Sequence, residues 1–120
     1  MEEQPERLKT SKQNGVTIVE LADRKILDEP SIAQISGQLA AVVAKDPVPR
    51  IVLDFVNVSH MSSSALGMLV TLHKRVREKS GRLWLCNIRP SIYEVFVITR
   101  LNEVLRICPS REQAVREATS

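Results

Sequence analysis

The sequence predicts a single α/β domain: a mixed, mostly parallel sheet of about four to five strands packed with about four helices. Three observations predict it. Short β-branched runs alternate with stretches whose apolar residues recur every three or four positions, the pattern of strands joined by helical crossovers. The run Ile51-Val-Leu-Asp-Phe-Val56 is apolar apart from one acid, as a strand buried on both faces requires. The chain has 120 residues, 43% hydrophobic and 26% charged, enough for one core and no second domain.

The elements follow in order. Arg7 to Gln13 is a weak strand candidate, and Asn14-Gly15 is a hairpin signal because both positions of a tight primed turn need positive φ. Val16 to Ala22 is a stronger strand, with Val16, Ile18 and Glu20 on one face. Asp28 caps a first helix and Pro30 suits its first turn. Ile32, Ile35, Leu39, Val42 and Val43 form its apolar stripe, and Pro47 and Pro49 stop it. After the Ile51–Val56 strand, a loop from Asn57 to Met61 leads into three serines and a second helix from about Ser64 to Ser80. Leu66, Leu69, Val70, His73 and Val76 share one face of it, and Gly81 is placed to end it. Leu83 to Cys86 is another buried strand. Pro90 opens a third helix whose core positions are Ile92, Val95, Phe96 and Thr99. Val104 to Cys108 is a last strand, and Ser110 with Gln113 has the capping spacing of a terminal helix through Ala114, Val115 and Ala118.

Composition removes several functions. The net charge is +3, a mild excess that does not by itself imply a nucleic-acid partner. Phe55, Trp84, Tyr93 and Phe96 are the only aromatics, and most fall in core-like runs, so no platform for base stacking is expected. Cys86 and Cys108 each end an apolar run and read as buried free thiols, with no Cys/His spacing for a metal. The polar start of the chain lacks an apolar leader, and no apolar stretch approaches the ~20 residues of a membrane span. A cytoplasmic protein without cofactor, membrane or direct nucleic-acid contact is the expectation.

The chemistry concentrates in Ser62-Ser63-Ser64, between a buried strand and a helix. Sites in open α/β sheets gather beyond the carboxyl ends of the strands, and a helix N-terminus offers free N–H groups. One serine caps a helix and three exceed that need, yet from the residues alone plain capping stays open beside a phosphate acceptor. A phosphoserine there gains nearly two negative charges, tolerated by the N–H groups yet disruptive to a partner surface. The enzymatic alternative pairs Ser62 or Ser63 with His60 as base, but no Gly-x-Ser-x-Gly elbow, Walker loop or Rossmann fingerprint accompanies it. His73 reads as a packed histidine, and the basic run His73 to Lys79 as a solvated helix face.

The segment Ile51-Val-Leu-Asp-Phe-Val-Asn-Val-Ser-His-Met-Ser-Ser-Ser-Ala-Leu-Gly-Met-Leu69 resembles the signature of STAS-domain anti-sigma factor antagonists. In that family a strand ending in Leu-Asp leads through a short loop to Asp-Ser-Ser/Thr-Gly-Leu-Gly at a helix start. The order of elements extends the resemblance from about Arg7 to Ala118, and Ile92 to Leu101 looks like the family's penultimate helix. It implies a domain over residues 7–118, after a flexible N-terminus of residues 1–6. It implies phosphorylation at Ser63, with Ser62 and Ser64 as alternates. It implies a partner surface formed by Asp54, His60, Met61, Ser62, Ser64, Ala65, Leu66 and Gly67. The implied partners are an anti-sigma factor that is also a serine protein kinase, and a phosphatase that resets the switch; the module itself performs no chemistry. Two positions depart from the signature. Ser62 stands where the family has aspartate, and Ala65 where it has glycine. The lost carboxylate motivates a second reading, a scaffold subunit of a signalling assembly that is never phosphorylated.

Overall fold

The computed structural model describes residues 7–119. In chain order its elements are β1 (Leu8–Gln13), β2 (Val16–Leu21), β3 (Lys25–Ile26), α1 (Glu29–Lys45), β4 (Arg50–Asp54), β5 (His60–Met61), α2 (Ser63–Glu78), β6 (Arg82–Cys86), α3 (Pro90–Ile98), β7 (Arg106–Cys108) and α4 (Arg111–Thr119), with a 3₁₀ turn at Leu101–Glu103. The expected flexible residues 1–6 lie outside the described residues. The chain folds as an α/β domain. Its main sheet has five strands in the order β1-β2-β4-β6-β7, antiparallel only between β1 and β2. Because β2, β4, β6 and β7 step in one direction, crossovers of a single hand put their helices on one face. That face holds the larger core, where Ile35 and Leu39 of α1, Leu69 and Val76 of α2, and Ile92 and Phe96 of α3 meet Leu53 and Leu85. Among the described residues only α4 covers the other face, through Ala114, Val115 and Ala118 against Val16, Val52 and Trp84.

Most local signals act as their chemistry requires. Asn14 and Gly15 both take positive φ, 53° and 79°, and turn β1 into β2 with Gln13 opposite Val16. Asp28 accepts from the Ser31 amide to cap α1, with Pro30 in its first turn. Ser110 accepts from Gln113 N at 3.2 Å to cap α4.

The departures have physical reasons. Val16 and Ile18 share a face as expected, but Val19 and Leu21 on the other face are equally buried, because β2 lies between two helix layers. The apolar run after β4 leaves the ladder at Asp54; Phe55 and Val58 are buried as loop plugs instead of strand residues. On α2, Met68 and Leu72 belong to the buried stripe, while Val70 and His73 lie at its margin. Val95 of α3 is 42% exposed and Tyr93 is exposed too, since α3 buries only Ile92 and Phe96. The last strand starts at Arg106, because the 3₁₀ turn, entered through Arg100 at φ 62°, consumes the preceding residues. Gly81 does not supply the left-handed stop of α2; Ser80 does, at φ 58°. Gly81 is needed for close approach, since a Cβ there would sit 2.2 Å from the Pro49 carbonyl oxygen. A short parallel ribbon pairing β3 with β5 is an addition that the pattern did not predict.

Candidate functional site

The loop between β4 and α2 is held from every side. Its anchor is Asp54, 1% exposed at the carboxyl end of the central strand. One carboxylate oxygen accepts from its own loop at Val56 N (2.9 Å) and from Asn87 Nδ2 (3.0 Å). The other accepts from Arg111 Nε at 2.7 Å. Arg111 reaches on to Glu20 with its second arm at 2.9 Å, and Asn57 Nδ2 donates to the other Glu20 oxygen at 2.8 Å. The bonds to Asp54 hold the Arg111 pKa above its ordinary value. A buried carboxylate is stable only when its oxygens are bonded in this way. The network therefore ties β2, β4, the loop, the residue after β6 and α4 into one block.

Beyond Asp54 the loop is fixed by backbone bonds. The amides of Ser59 and His60 both donate to the Arg24 carbonyl, at 2.8 and 3.2 Å. Ser62 N donates to the Ile26 carbonyl at 3.0 Å. The β3–β5 ribbon places Lys25 beside His60 and Ile26 beside Met61. The loop is thus a preformed platform, with Val58 buried beneath it.

The three serines then separate by role. Ser62 is the N-cap of α2, extended at φ −87° and ψ 168°, and its hydroxyl accepts from Ala65 N at 3.3 Å. Ser63 and Ser64 are exposed in the first helical turn, which contains no acidic residue. His60 and Gly67 are also exposed, and Met61 and Ser62 are half-buried. Asp54, Ala65 and Leu66 are buried and offer no surface to another molecule. The predicted site residues thus divide into an exposed group and a buried group supporting it.

His60 makes no hydrogen bond to Ser62, Ser63 or Ser64 among the described residues. Its Nδ1 meets Ser59 Oγ at 3.0 Å, and no carboxylate among the described residues is hydrogen-bonded to it. The two cysteines stand side by side in β6 and β7, buried and unbridged. Burial is the main force pushing Cys86 up to about 12 and Cys108 up to about 11, so both thiols stay protonated. Among the described residues no cluster of three or more His, Cys, Asp or Glu is placed to hold a metal, and no helix is long and apolar enough to cross a membrane.

Asn57, Asn87, Glu20 and Arg111 are the residues that sequence reasoning missed. Asn87 carried the best available signal: an asparagine directly after a buried strand, where it adopts φ 57°. The Arg111–Asp54 pair spans 57 positions, and no local pattern announces it.

Comparison with known proteins agrees with this architecture. Residues 7–114 match the family model of the STAS domain. A Bordetella bronchiseptica protein, BtrV, carried as a candidate anti-sigma factor antagonist, is 32% identical over 74% of this chain and 76% of its own. An anti-sigma-factor antagonist (STAS) domain protein from Planctomyces limnophilus superposes with a TM-score of 0.86 at 22% identity, covering 94% of this chain and 98% of its own. The Bacillus anti-sigma factor antagonist SpoIIAA, solved unphosphorylated and phosphorylated, superposes with a TM-score of 0.68 in each form at 19% identity, covering 92% of this chain and 94% and 97% of its own.

Proposed function

The chain belongs to the STAS domain family, and from that premise we propose that it is a cytoplasmic anti-sigma factor antagonist switched by phosphorylation at Ser63. Unphosphorylated, it binds an anti-sigma factor that is also a serine protein kinase and so frees a sigma factor. The kinase transfers a phosphoryl group to Ser63 and the complex dissociates; a phosphatase removes the phosphate and resets the switch.

The observation that carries the reading is the division of labour among the serines. Ser62 is occupied as the helix cap, while Ser63 stands exposed one position later, in a turn free of acids. A phosphate on Ser63 would meet helix N–H groups and no nearby carboxylate of that turn, so the fold would tolerate it. That SpoIIAA keeps its fold in both forms is in line with this. A docked partner would not tolerate it. Burying an unpaired dianion costs several kcal/mol, and about 1.4 kcal/mol already weakens binding tenfold.

The departure at Ser62 also fits. Aspartate and serine cap a helix about equally well, so the fold loses nothing when Ser62 replaces the family's aspartate. In this reading the partner contacts His60, Met61, Ser62, Ser64 and Gly67 directly. Asp54, Ala65 and Leu66 serve the same surface from beneath, by fixing the loop and the first turn of α2. No catalytic group of its own is required of the chain, because a kinase supplies nucleotide, metal and base.

The test is binding to the cognate anti-sigma factor in the presence of ATP. Ser63→Ala should remain bound, and Ser63→Asp should bind at least about tenfold more weakly. Equal binding by the two variants would leave the switch without support and favour the scaffold reading.

A further inference from the structure

The surface that begins at Ser63 continues down one flank of α2. Lys79 Nζ donates to the carbonyls of Val43 and Ala44 at the end of α1, at 2.8 and 3.3 Å. Met68, Thr71 and Arg75 meet Ser36 and Ala40 of α1 around one small cavity. That flank of α2 faces α1. Helical spacing sets Ser63, Val70, Lys74 and Arg77, at steps of 7, 4 and 3 residues, in a stripe on the opposite flank. Val70 is half-buried, while Ser63, Lys74 and Arg77 are exposed. The basic run on α2 is thus divided between two flanks and is not one solvated face.

Helix α3 is the next crossover in the same layer, between β6 and β7. Asp54 and Cys86 are register partners at the ends of β4 and β6, so α2 and α3 start at the same end of the sheet. Tyr93 of α3 lines a cavity with Ile107, Cys108 and Pro109 at the β7 edge. The opposite flank of α3, toward α2, carries Ser91, Val95 and Ile98. All three are exposed, Ile98 at 80%. α2 packs closely on α1 and only sparsely on α3, which leaves an open seam between α2 and α3. Ser63 stands at its head and Val70, Val95 and Ile98 along it. Lys74 and Arg77 stand toward its foot, about 16–21 Å from Ser63 at the helical rise.

An exposed apolar helix flank marks a surface that another molecule covers. The charges around the seam select that molecule. Among the described residues Lys74 and Arg77 form no ion pair. Glu103 lines a cavity with Arg77, and Glu78 and Glu94 lie on the exposed sides of α2 and α3, so the stripe itself is purely cationic. A second copy of α3 does not suit it. Its two ends carry Arg89 and Arg100, so either direction sets an arginine against Lys74 and Arg77. A flat bilayer would meet the outer crests of the helices and leave the half-buried Val70 uncovered. A separate helix, apolar along one side and acidic at one end, matches both the shape and the charge.

We propose that the seam between α2 and α3 is the docking site for an amphipathic helix of the anti-sigma factor, its apolar side on Val70, Val95 and Ile98 and its acidic end over Lys74 and Arg77. The inference rests on the function proposed above and assigns the chemistry of the partner's contact. Helices seat in such grooves through apolar residues three and four apart. The cations fix the direction of the docked helix, because its acids are drawn to the foot of the seam and its uncharged end lies beside Ser63. A phosphate on Ser63 stands beyond the ~8 Å over which charges act strongly at physiological salt, so Lys74 and Arg77 do not neutralise it. It meets the uncharged end of the docked helix instead, where a dianion without a partner is costly to bury.

The experiment is calorimetric titration of the full chain with the purified cognate anti-sigma factor at low and at physiological ionic strength. Val95→Gln/Ile98→Gln, at exposed positions that the core does not use, should weaken binding at least about tenfold at both. Lys74→Glu/Arg77→Glu should weaken it at least about tenfold at low ionic strength and flatten its salt dependence. Arg75→Glu, on the α1 flank, and Val48→Gln, exposed between α1 and β4, should change nothing. Unchanged binding by either seam variant, with Ser63→Asp still releasing the partner, would overturn the seam and leave the switch standing. Absence of binding by the unmodified protein would overturn both. A two-chain mass in light scattering that Val95→Gln/Ile98→Gln returns to one chain would overturn the proposal in favour of a second copy. Cosedimentation with phosphatidylglycerol vesicles, lost in that same variant, would overturn it in favour of a membrane surface.

Discussion

Replacing Arg111 with methionine removes one cation from the centre of the loop's support and leaves a carboxylate behind. Asp54 is 1% exposed and would lose its 2.7 Å bond from Arg111 Nε, keeping only Val56 N and Asn87 Nδ2. A hydrogen bond to a charged buried group contributes about 1.5–3 kcal/mol. The second bond, to Glu20, involves an Arg111 side chain that is 35% exposed, and solvent screening limits it to below about 1 kcal/mol. The sum is about 3 kcal/mol. At an unfolding entropy of about 2.1 cal/mol/K per residue, a chain of this length loses about 4 °C per kcal/mol, so Tm should fall by about 12 °C. The pairwise part is isolated by a double-mutant cycle with Asp54→Asn, read by urea and thermal unfolding. Neutralising the acid removes the charge that Arg111→Met strands, so the double variant should recover about 2 kcal/mol relative to additivity. A loss below about 0.5 kcal/mol for Arg111→Met, or strict additivity in the cycle, would refute the claim that this network fixes the loop.

Four further outcomes are expected. Ser62→Ala should cost about 1 kcal/mol in urea unfolding while Ser63→Ala costs almost nothing, because only Ser62 caps α2. Gly81→Ala should destabilise by about 1–3 kcal/mol, since its Cβ would collide with Pro49, whereas Gly37→Ala, with open space around it inside α1, should stabilise by up to about 1 kcal/mol in the same assay. Both thiols, pushed up to about 12 and about 11, should resist a thiol-reactive disulfide reagent in the native protein and react fully once urea unfolds it. Burial, then Arg77 and Arg106, lower the His73 pKa, so the unfolded chain binds its proton more readily. Stability should be full above about pH 6.5 and decline as pH falls toward the folded-state value, a decline that His73→Gln should reduce in urea midpoints measured from about pH 8 to about pH 5.

The fold was legible wherever a residue's role depends on near neighbours. Asp28, Asn14-Gly15 and Ser110 act within three or four positions, so cap and turn chemistry identified them. The helix–strand alternation announced parallel strands joined by helical crossovers, which the sheet shows. What escaped was set by packing at long range. Val95 looks like a core residue until the layer it faces turns out to end at Phe96. Gly81 has the look of a helix stop, but its need for small size comes from Pro49, 32 residues away in sequence. The β3–β5 ribbon has two residues per strand, too few for any periodicity.

The candidate site shows the same division. The serines and their helix start were visible because strand, loop and cap are contiguous. Their separation into one cap and two exposed hydroxyls required the backbone angles at Ser62. Asp54 was recognised as important, but its long-range partners come from α4 and the residue after β6, with Glu20 of β2 joined through Arg111, and only the folded chain brings them together.

The central claim is a phosphate on one particular hydroxyl, and mass spectrometry of the protein isolated from its own cells tests it most directly. The peptide to map covers His60 to Lys74, through growth and stress. The account predicts phosphate on Ser63, present in one condition and absent in another, with Ser62 unmodified because it caps α2. A peptide without phosphate in every condition would contradict the switch and leave a constitutive scaffold on the same fold.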